Sequence, residues 1–263
     1  MNPNTPPKLS RCGRAMSAPS LLRTTALPTA LALFLGACSG GPDRIPPRTP
    51  LSPDATQARP PAAAPNATLA TRYRVDPRES SLRILVYRGG TMARLGHNHV
   101  ISSDDLQGQI WRGANAENSG FEIAVPVNTL IVDDNAARSE EGDDFPLNVT
   151  EDAKAGTKAN MLRPTLLDGE RYPEISISAA SITGSTSNPA VVANMRIKDQ
   201  TRAIQLPVTL SEAEGALAIQ GSFEIRQTDF GITPLSIAMG ALTVQDTVKI
   251  KFRLVAKAAP ASP

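Results

Sequence analysis

The sequence predicts an all-β domain, an antiparallel barrel of about eight strands with one short helix in a loop. Three observations carry this: apolar residues alternate with a period of two from Thr71 onward, turn-forming residues separate the alternating runs, and only one segment has helical capping chemistry. One apolar and one polar face per run is what antiparallel strands around a single interior require. Such strands must not leave open edges, so a closed barrel or a tight sandwich is expected.

The runs follow in order. Leu82, Ile84 and Val86 alternate with Arg83, Leu85 and Tyr87; Phe121, Ile123, Val125 and Val127 alternate with Glu122, Ala124 and Pro126. Ile175 and Ile177 lie between Glu174, Ser176 and Ser178, and the pattern continues through 191–197, 203–210, 217–225 and 242–255. Turns are marked by Arg88-Gly89-Gly90, Gly113-Ala114-Asn115, Lys198-Asp199-Gln200 and Glu214-Gly215. The helix is predicted over Thr150 to Leu162, with Thr150 as N-cap, Glu151 and Asp152 in the first turn and Pro164 beyond its end. An interior lined by Ala, Val, Ile and Leu suits a dry cavity for one apolar ligand, or a filled core.

The ends of the chain read differently. Residues 1–37 form a signal peptide: a basic start, then the apolar run Ala26 to Leu35, too short to span a bilayer as a helix. Met16 is an alternative start. The string Leu35-Gly36-Ala37-Cys38 resembles a bacterial lipobox, which makes Cys38 the acylated residue of a membrane-anchored, periplasmic protein. Ser39 after it favours the outer over the inner membrane. Residues 38–70, rich in Pro and Ala, read as a disordered tether, and 258–263 as a disordered tail. Cys12 and Cys38 are the only cysteines, so the domain at 71–257 has no disulfide, thiolate ligand or thiol nucleophile. Residues 1–70 carry seven Lys/Arg and two Asp/Glu, a net of +5 against +2 for the whole chain, which leaves the rest at −3. A mildly acidic domain without a basic stripe argues against nucleic acid.

Motifs spread along the domain include Tyr73-Arg74-Val75-Asp76 with Ser80-Ser81-Leu82, Gly108-Gln109-Ile110, and Val127-Asn128-Thr129-Leu130 with Arg138 and Phe145. Further along come Leu167-Asp168 with Arg171-Tyr172-Pro173-Glu174-Ile175, then Arg226 to Ile232 and Val244 to Val248. In their order and spacing these resemble the YceI-like family of lipocalin-like, polyisoprenoid-binding periplasmic proteins. The resemblance implies an eight-stranded lipocalin-like barrel with a long apolar tunnel. It also implies binding of an isoprenoid chain, such as a polyprenyl quinone, without catalysis. The sequence departs from the family pattern in the acidic loop Asp133 to Asp144 and in Gly96-His97-Asn98-His99.

His97 and His99 are the only histidines. On a strand, residues i and i+2 share a face about 7 Å apart, which would set both with Leu95 and Ile101 on an inward face. The pair then has three readings: polar groups bonded to backbone or carboxylate, contacts to a ligand's polar head, or two ligands of a metal. A metal needs a third ligand, for which the Asp133–Asp144 loop is the source, although such carboxylates are usually solvated. Candidate ligand-binding residues are therefore His97, His99, Leu95, Ile101 and Arg138. Catalysis lacks its residues: there is no Gly-x-Ser-x-Gly string and no domain cysteine. The leading expectation is a lipid-anchored carrier of an isoprenoid or similar amphiphile with no cofactor. The alternatives are a metal-binding or redox-accessory envelope protein using His97 and His99, and an envelope interaction module.

Overall fold

The computed structural model describes residues 70–259. The signal peptide, Cys38, the tether up to residue 69 and the last four residues lie outside the described residues.

The strands come in chain order, with all pairings antiparallel. They are β1 (Thr71–Val75), β2 (Ser81–Val86), β3 (Arg88–Gly89), β4 (His99–Ser103), β5 (Gln107–Arg112), β6 (Gly120–Pro126) and β7 (Ile131–Val132). Two helices follow, α1 (Asn135–Glu141) and α2 (Glu151–Met161). Then come β8 (Glu174–Gly184), β9 (Pro189–Ile197), β10 (Gln200–Leu206), β11 (Thr209–Ala213) and β12 (Ala216–Arg226). The chain ends with β13 (Ser236–Ile237), β14 (Leu242–Val244) and β15 (Thr247–Ala258). Twelve strands form one sheet, while β13, β14 and β3 form a second, small one.

The expected eight strands and single helix are thus corrected. Long strands are broken, and the two pieces of each pair with different neighbours. β1 and β2 share one edge of β15 on either side of Asp76–Ser80, and β4 and β5 continue them across Asp104–Leu106. β10 pairs with β9 and β11 with β12, the change falling at Pro207, which has no N–H to donate. Among the described residues no ladder joins β10 to β12, so hydrogen bonding does not close the sheet. Every part of the sheet nevertheless faces one apolar interior, to which Tyr73, Leu82, Ile101, Ile110, Ile123, Ile175, Met195, Leu217 and Ile250 all contribute. Predicted alternation sets these positions inward, as in β9, where Val191, Ala193, Met195 and Ile197 are buried. The turns Lys198-Asp199 and Glu214-Gly215 are two-residue hairpin loops opened by a positive φ, at 57° and 50°.

α2 forms as predicted, with Thr150 accepting from the Ala153 N–H. α1 is a second helix, beyond the one the sequence predicts. Its N-cap is Asp134, whose carboxylate accepts from the Ala137 N–H at 3.0 Å. The segment carrying α1 covers the outer face of β2 and β4, where Leu85 and Val100 pack with Ala137 and Phe145 in a second, small core. β2 is therefore apolar on both faces.

β15 is the spine. It pairs with β12 from Thr247 to Lys257, and its other edge takes β2 and then β1. Where β1 gives way to β2, Ser80 fills the gap: its hydroxyl donates to Asp76 O at 2.7 Å and accepts from the Val255 N–H at 3.0 Å. Ser80→Ala leaves that buried N–H unpaired and is expected to cost about 1–3 kcal/mol, measured as a lower denaturation midpoint at unchanged slope.

Candidate functional site

Two cavities occupy the interior, of about 120 Å³ and about 140 Å³. Both are lined by Leu82, Val125, Ile177 and Ile250, which form a shared waist between them. The first extends under Ile110, Phe223 and Phe252, and among the described residues Arg112, Ser119 and Thr186 bring it the only charged or hydroxyl side chains. The second runs past Ile84, Ile101, Phe230 and Ile232 with one polar side chain, Gln227. These walls follow from the alternation: β2, β6, β8 and β15 each turn one apolar row inward.

Trp111 helps shape the first cavity. It lies opposite Gly120 in the β5–β6 ladder, and a Cβ on residue 120 would sit 2.2 Å from the indole. The missing side chain lets the ring lie flat across the strand. At the same end, the Arg112 guanidinium donates to the Glu212 carboxylate and to Thr186 O at 3.2 Å, while the Tyr73 hydroxyl donates to Glu212 Oε1 at 2.7 Å. Burial, and then the bond to Glu212, push the Tyr73 hydroxyl above its ordinary pKa. These bonds tie β5, β11 and the β8–β9 turn across that end of the molecule.

The histidine pair lies elsewhere. β4 begins only at His99, because residues 93–95 form a 3₁₀ turn. The predicted shared face of Leu95, His97, His99 and Ile101 is corrected at Leu95, which belongs to the 3₁₀ turn, while Gly96 after it is already extended. Leu95 is 61% exposed, whereas Ile101 is buried and lines the second cavity. Asn98, between the histidines, is buried and fixes the turn, with Oδ1 accepting from the Arg88 N–H and Nδ2 donating to Asp144 O.

His99 Nδ1 lies 2.6 Å from Asp133 Oδ2. An ionised carboxylate only accepts, so Nδ1 carries the proton of this bond. The other Asp133 oxygen accepts from the Val100 N–H at 2.9 Å and from Arg138 at 2.5 Å. Arg138 and Asp133 are wholly buried. Arg138 also donates to Asn98 O and twice to Pro146 O, and its guanidinium lies 5.9 Å from the centre of the Phe145 ring. Burial pushes the Asp133 carboxyl up, but the His99, Val100 and Arg138 bonds outweigh it and hold the group below the ordinary carboxylate range.

His97, His99 and Arg138 therefore sit in and around the wall and line neither cavity; of the sequence-predicted residues, Ile101 does. The rings of His97 and His99 are 6.5 Å apart, and among the described residues no group of three His, Cys, Asp or Glu is placed to hold a metal. The acidic loop is not simply a solvated face, since Asp133 is buried and Glu141 bonds to Arg83 and Lys251. Asp133 and Asn98 are the residues that sequence reasoning missed. Nothing in a string of acidic and small residues marks which carboxylate turns inward.

Removing Asp133 leaves Arg138 buried without a counter-charge, so Asp133→Ala is expected to cost roughly 3–5 kcal/mol. A depressed carboxylate pKa contributes stability that is full above the unfolded value near pH 4 and is lost as pH falls through the lower folded value. Denaturant titrations below about pH 4 are therefore expected to show a flatter acid limb for Asp133→Asn than for the parent.

Residues 73–256 match the family model of the YceI-like domain. Among solved structures, the chain is similar to Burkholderia cenocepacia BcnA, with 17% identity and a TM-score of 0.51 over 70% of this chain and 99% of that one. A polyisoprenoid binding domain from Saccharophagus degradans, implicated in plant cell wall breakdown, is 14% identical with a TM-score of 0.47, over 71% and 98% of the two chains. A Campylobacter jejuni YceI protein is 11% identical with a TM-score of 0.43, over 59% and 82%. No curated protein matches the sequence significantly. At 17% identity the likeness to BcnA is one of fold.

Proposed function

Because the chain belongs to the YceI-like domain family, we propose that it is a carrier that shields the apolar chain of an isoprenoid or similar amphiphile inside its sheet. The observation that carries this reading is the pair of apolar cavities meeting at Leu82, Val125, Ile177 and Ile250. An elongated hydrocarbon chain threads such a space, whereas a polar solute finds almost no partner in it. Burial contributes about 0.8 kcal/mol per CH₂, so each five-carbon unit contributes on the order of 4 kcal/mol without any polar contact.

In this reading the broken strands act together as a lipocalin-like barrel of eight strand positions. The seam at Pro207 is sealed by side chains, since Ile204 of β10 and Phe223 of β12 pack on the same cluster of Val191, Ala193 and Leu206. In this reading the protein carries its ligand without transforming it, and the cavity walls it offers are apolar apart from Arg112, Ser119 and Thr186 in the first and Gln227 in the second. Export and attachment at Cys38 to a membrane, the outer rather than the inner, complete the proposal. The lipobox-like Leu35-Gly36-Ala37-Cys38 supports them.

Ile177→Trp puts an indole into the waist. Titrated with a polyprenyl quinone, the parent protein is expected to bind and the variant to lose at least tenfold in affinity, about 1.4 kcal/mol. Absence of binding by the parent contradicts the reading.

A further inference from the structure

The structure assigns a bilayer-docking tip to the small sheet and the two loops around it. This rests on the carrier reading above, because a water-insoluble chain must enter from a lipid surface. Five large apolar side chains are exposed in two short segments: Met92 and Leu95 in one, Leu235, Ile237 and Met239 in the other. The segments are joined as one body. β14 pairs with both β3 and β13, the Met92 N–H donates to Ala241 O at 2.7 Å, and a Cβ on Gly96 would meet Leu242 at 3.0 Å.

Met239 is fully exposed, and the backbone is shaped to keep it so. Ala238, Met239 and Gly240 have φ of 50°, 53° and 87°, three successive positive values of which only the last is at a glycine. Side chains rarely adopt that conformation, and it persists where the surrounding structure imposes it. Here it holds a methionine out at the end of a loop.

Position and charge indicate what covers the tip. Val86 and Val248 line the second cavity, and the strands that carry them run on through the Gln245 N–H bond to Tyr87 O into the small sheet. The tip thus extends the end of the molecule where that cavity lies. Segments 88–96 and 233–245 contain Arg88 and Arg94 and no Asp or Glu. Apolar side chains set beside cations suit an anionic lipid surface.

The chain leading to the domain also permits this orientation. β1 pairs with the Ala256–Ala258 end of β15, whereas the tip precedes Thr247 at its other end. From Cys38 to Thr71 the chain can span on the order of 100 Å when fully extended, well beyond the roughly 40 Å length of a twelve-residue strand. An anchor at Cys38 therefore leaves the opposite end free to turn onto the same bilayer.

The test places a polarity-sensitive fluorophore on the full chain at Met239→Cys, with Cys12→Ser and Cys38→Ser to leave a single thiol. The control label is at Ser187→Cys, in the exposed β8–β9 turn at the other end. The probe is vesicles of phosphatidylethanolamine and phosphatidylglycerol containing a brominated phospholipid. The 239 label is expected to shift to the blue and to be quenched, while the 187 label stays as in water. Because the readout belongs to one position, vesicle binding through the N-terminal apolar run does not mimic it. A 239 label that remains wet overturns the tip, and a blue shift that needs only high protein concentration overturns it in favour of a second copy of the chain. Organic extraction of the same protein separates the two readings: recovered isoprenoid with a wet label leaves the carrier standing and removes the tip. An inserted label without isoprenoid supports the tip and counts against the carrier.

Discussion

The antiparallel pairing of β15 with β12 on one edge and with β2 and β1 on the other is the interaction on which the remaining structure depends. A sheet that surrounds an unfilled interior cannot rely on close packing of opposite walls, so its ladders must hold the shape. β15 does this over twelve residues while changing partner midway, and Ser80 replaces the backbone bonds missing at the change. Similar breaks fall at Asp104–Leu106 and Pro207, where the two halves of a long strand meet different neighbours. Among the described residues, no buried side-chain polar atom lacks a partner.

The wall is reinforced from outside as well. Leu85 and Val100 turn outward from β2 and β4, and the segment from Asp133 to Phe145 covers them. Buried charge pins that cover in place: Arg138 donates to Asp133, Asn98 O and Pro146 O, and Asp133 holds His99 and the Val100 N–H. Replacing such a group with hydrocarbon is often neutral for stability, whereas removing one partner is costly. The network therefore fixes one arrangement of the loop against β4. Ile101, the next inward residue of that strand, is in turn held against the cavity.

Much of this was legible in the sequence, for physical reasons that differ by element. Alternation in β9, β12 and β15 located strands and inward rows because each has one face on the interior and one on water. Thr150, Glu151 and Pro164 located α2 because capping is local chemistry. The strand count was not legible, since a break such as Asp76–Ser80 is a matter of which neighbour each half meets. The turn that takes Leu95 off the strand was not legible, because the Met92 N–H that opens it bonds to Ala241 O, a partner remote in sequence. Arg138 and Phe145 were visible only through resemblance, and Asp133, their buried partner, was hidden among exposed acids. The apolar interior was legible as a lining but not as a cavity, because pattern does not distinguish a filled core from a hollow one.

Whether the two cavities are halves of one binding space can be read from an electron-density map of the protein purified without detergent. The expected result is elongated, continuous density passing between Leu82, Val125, Ile177 and Ile250 and filling both halves. Side chains closed across that waist, with no density beyond discrete waters on either side, would contradict it.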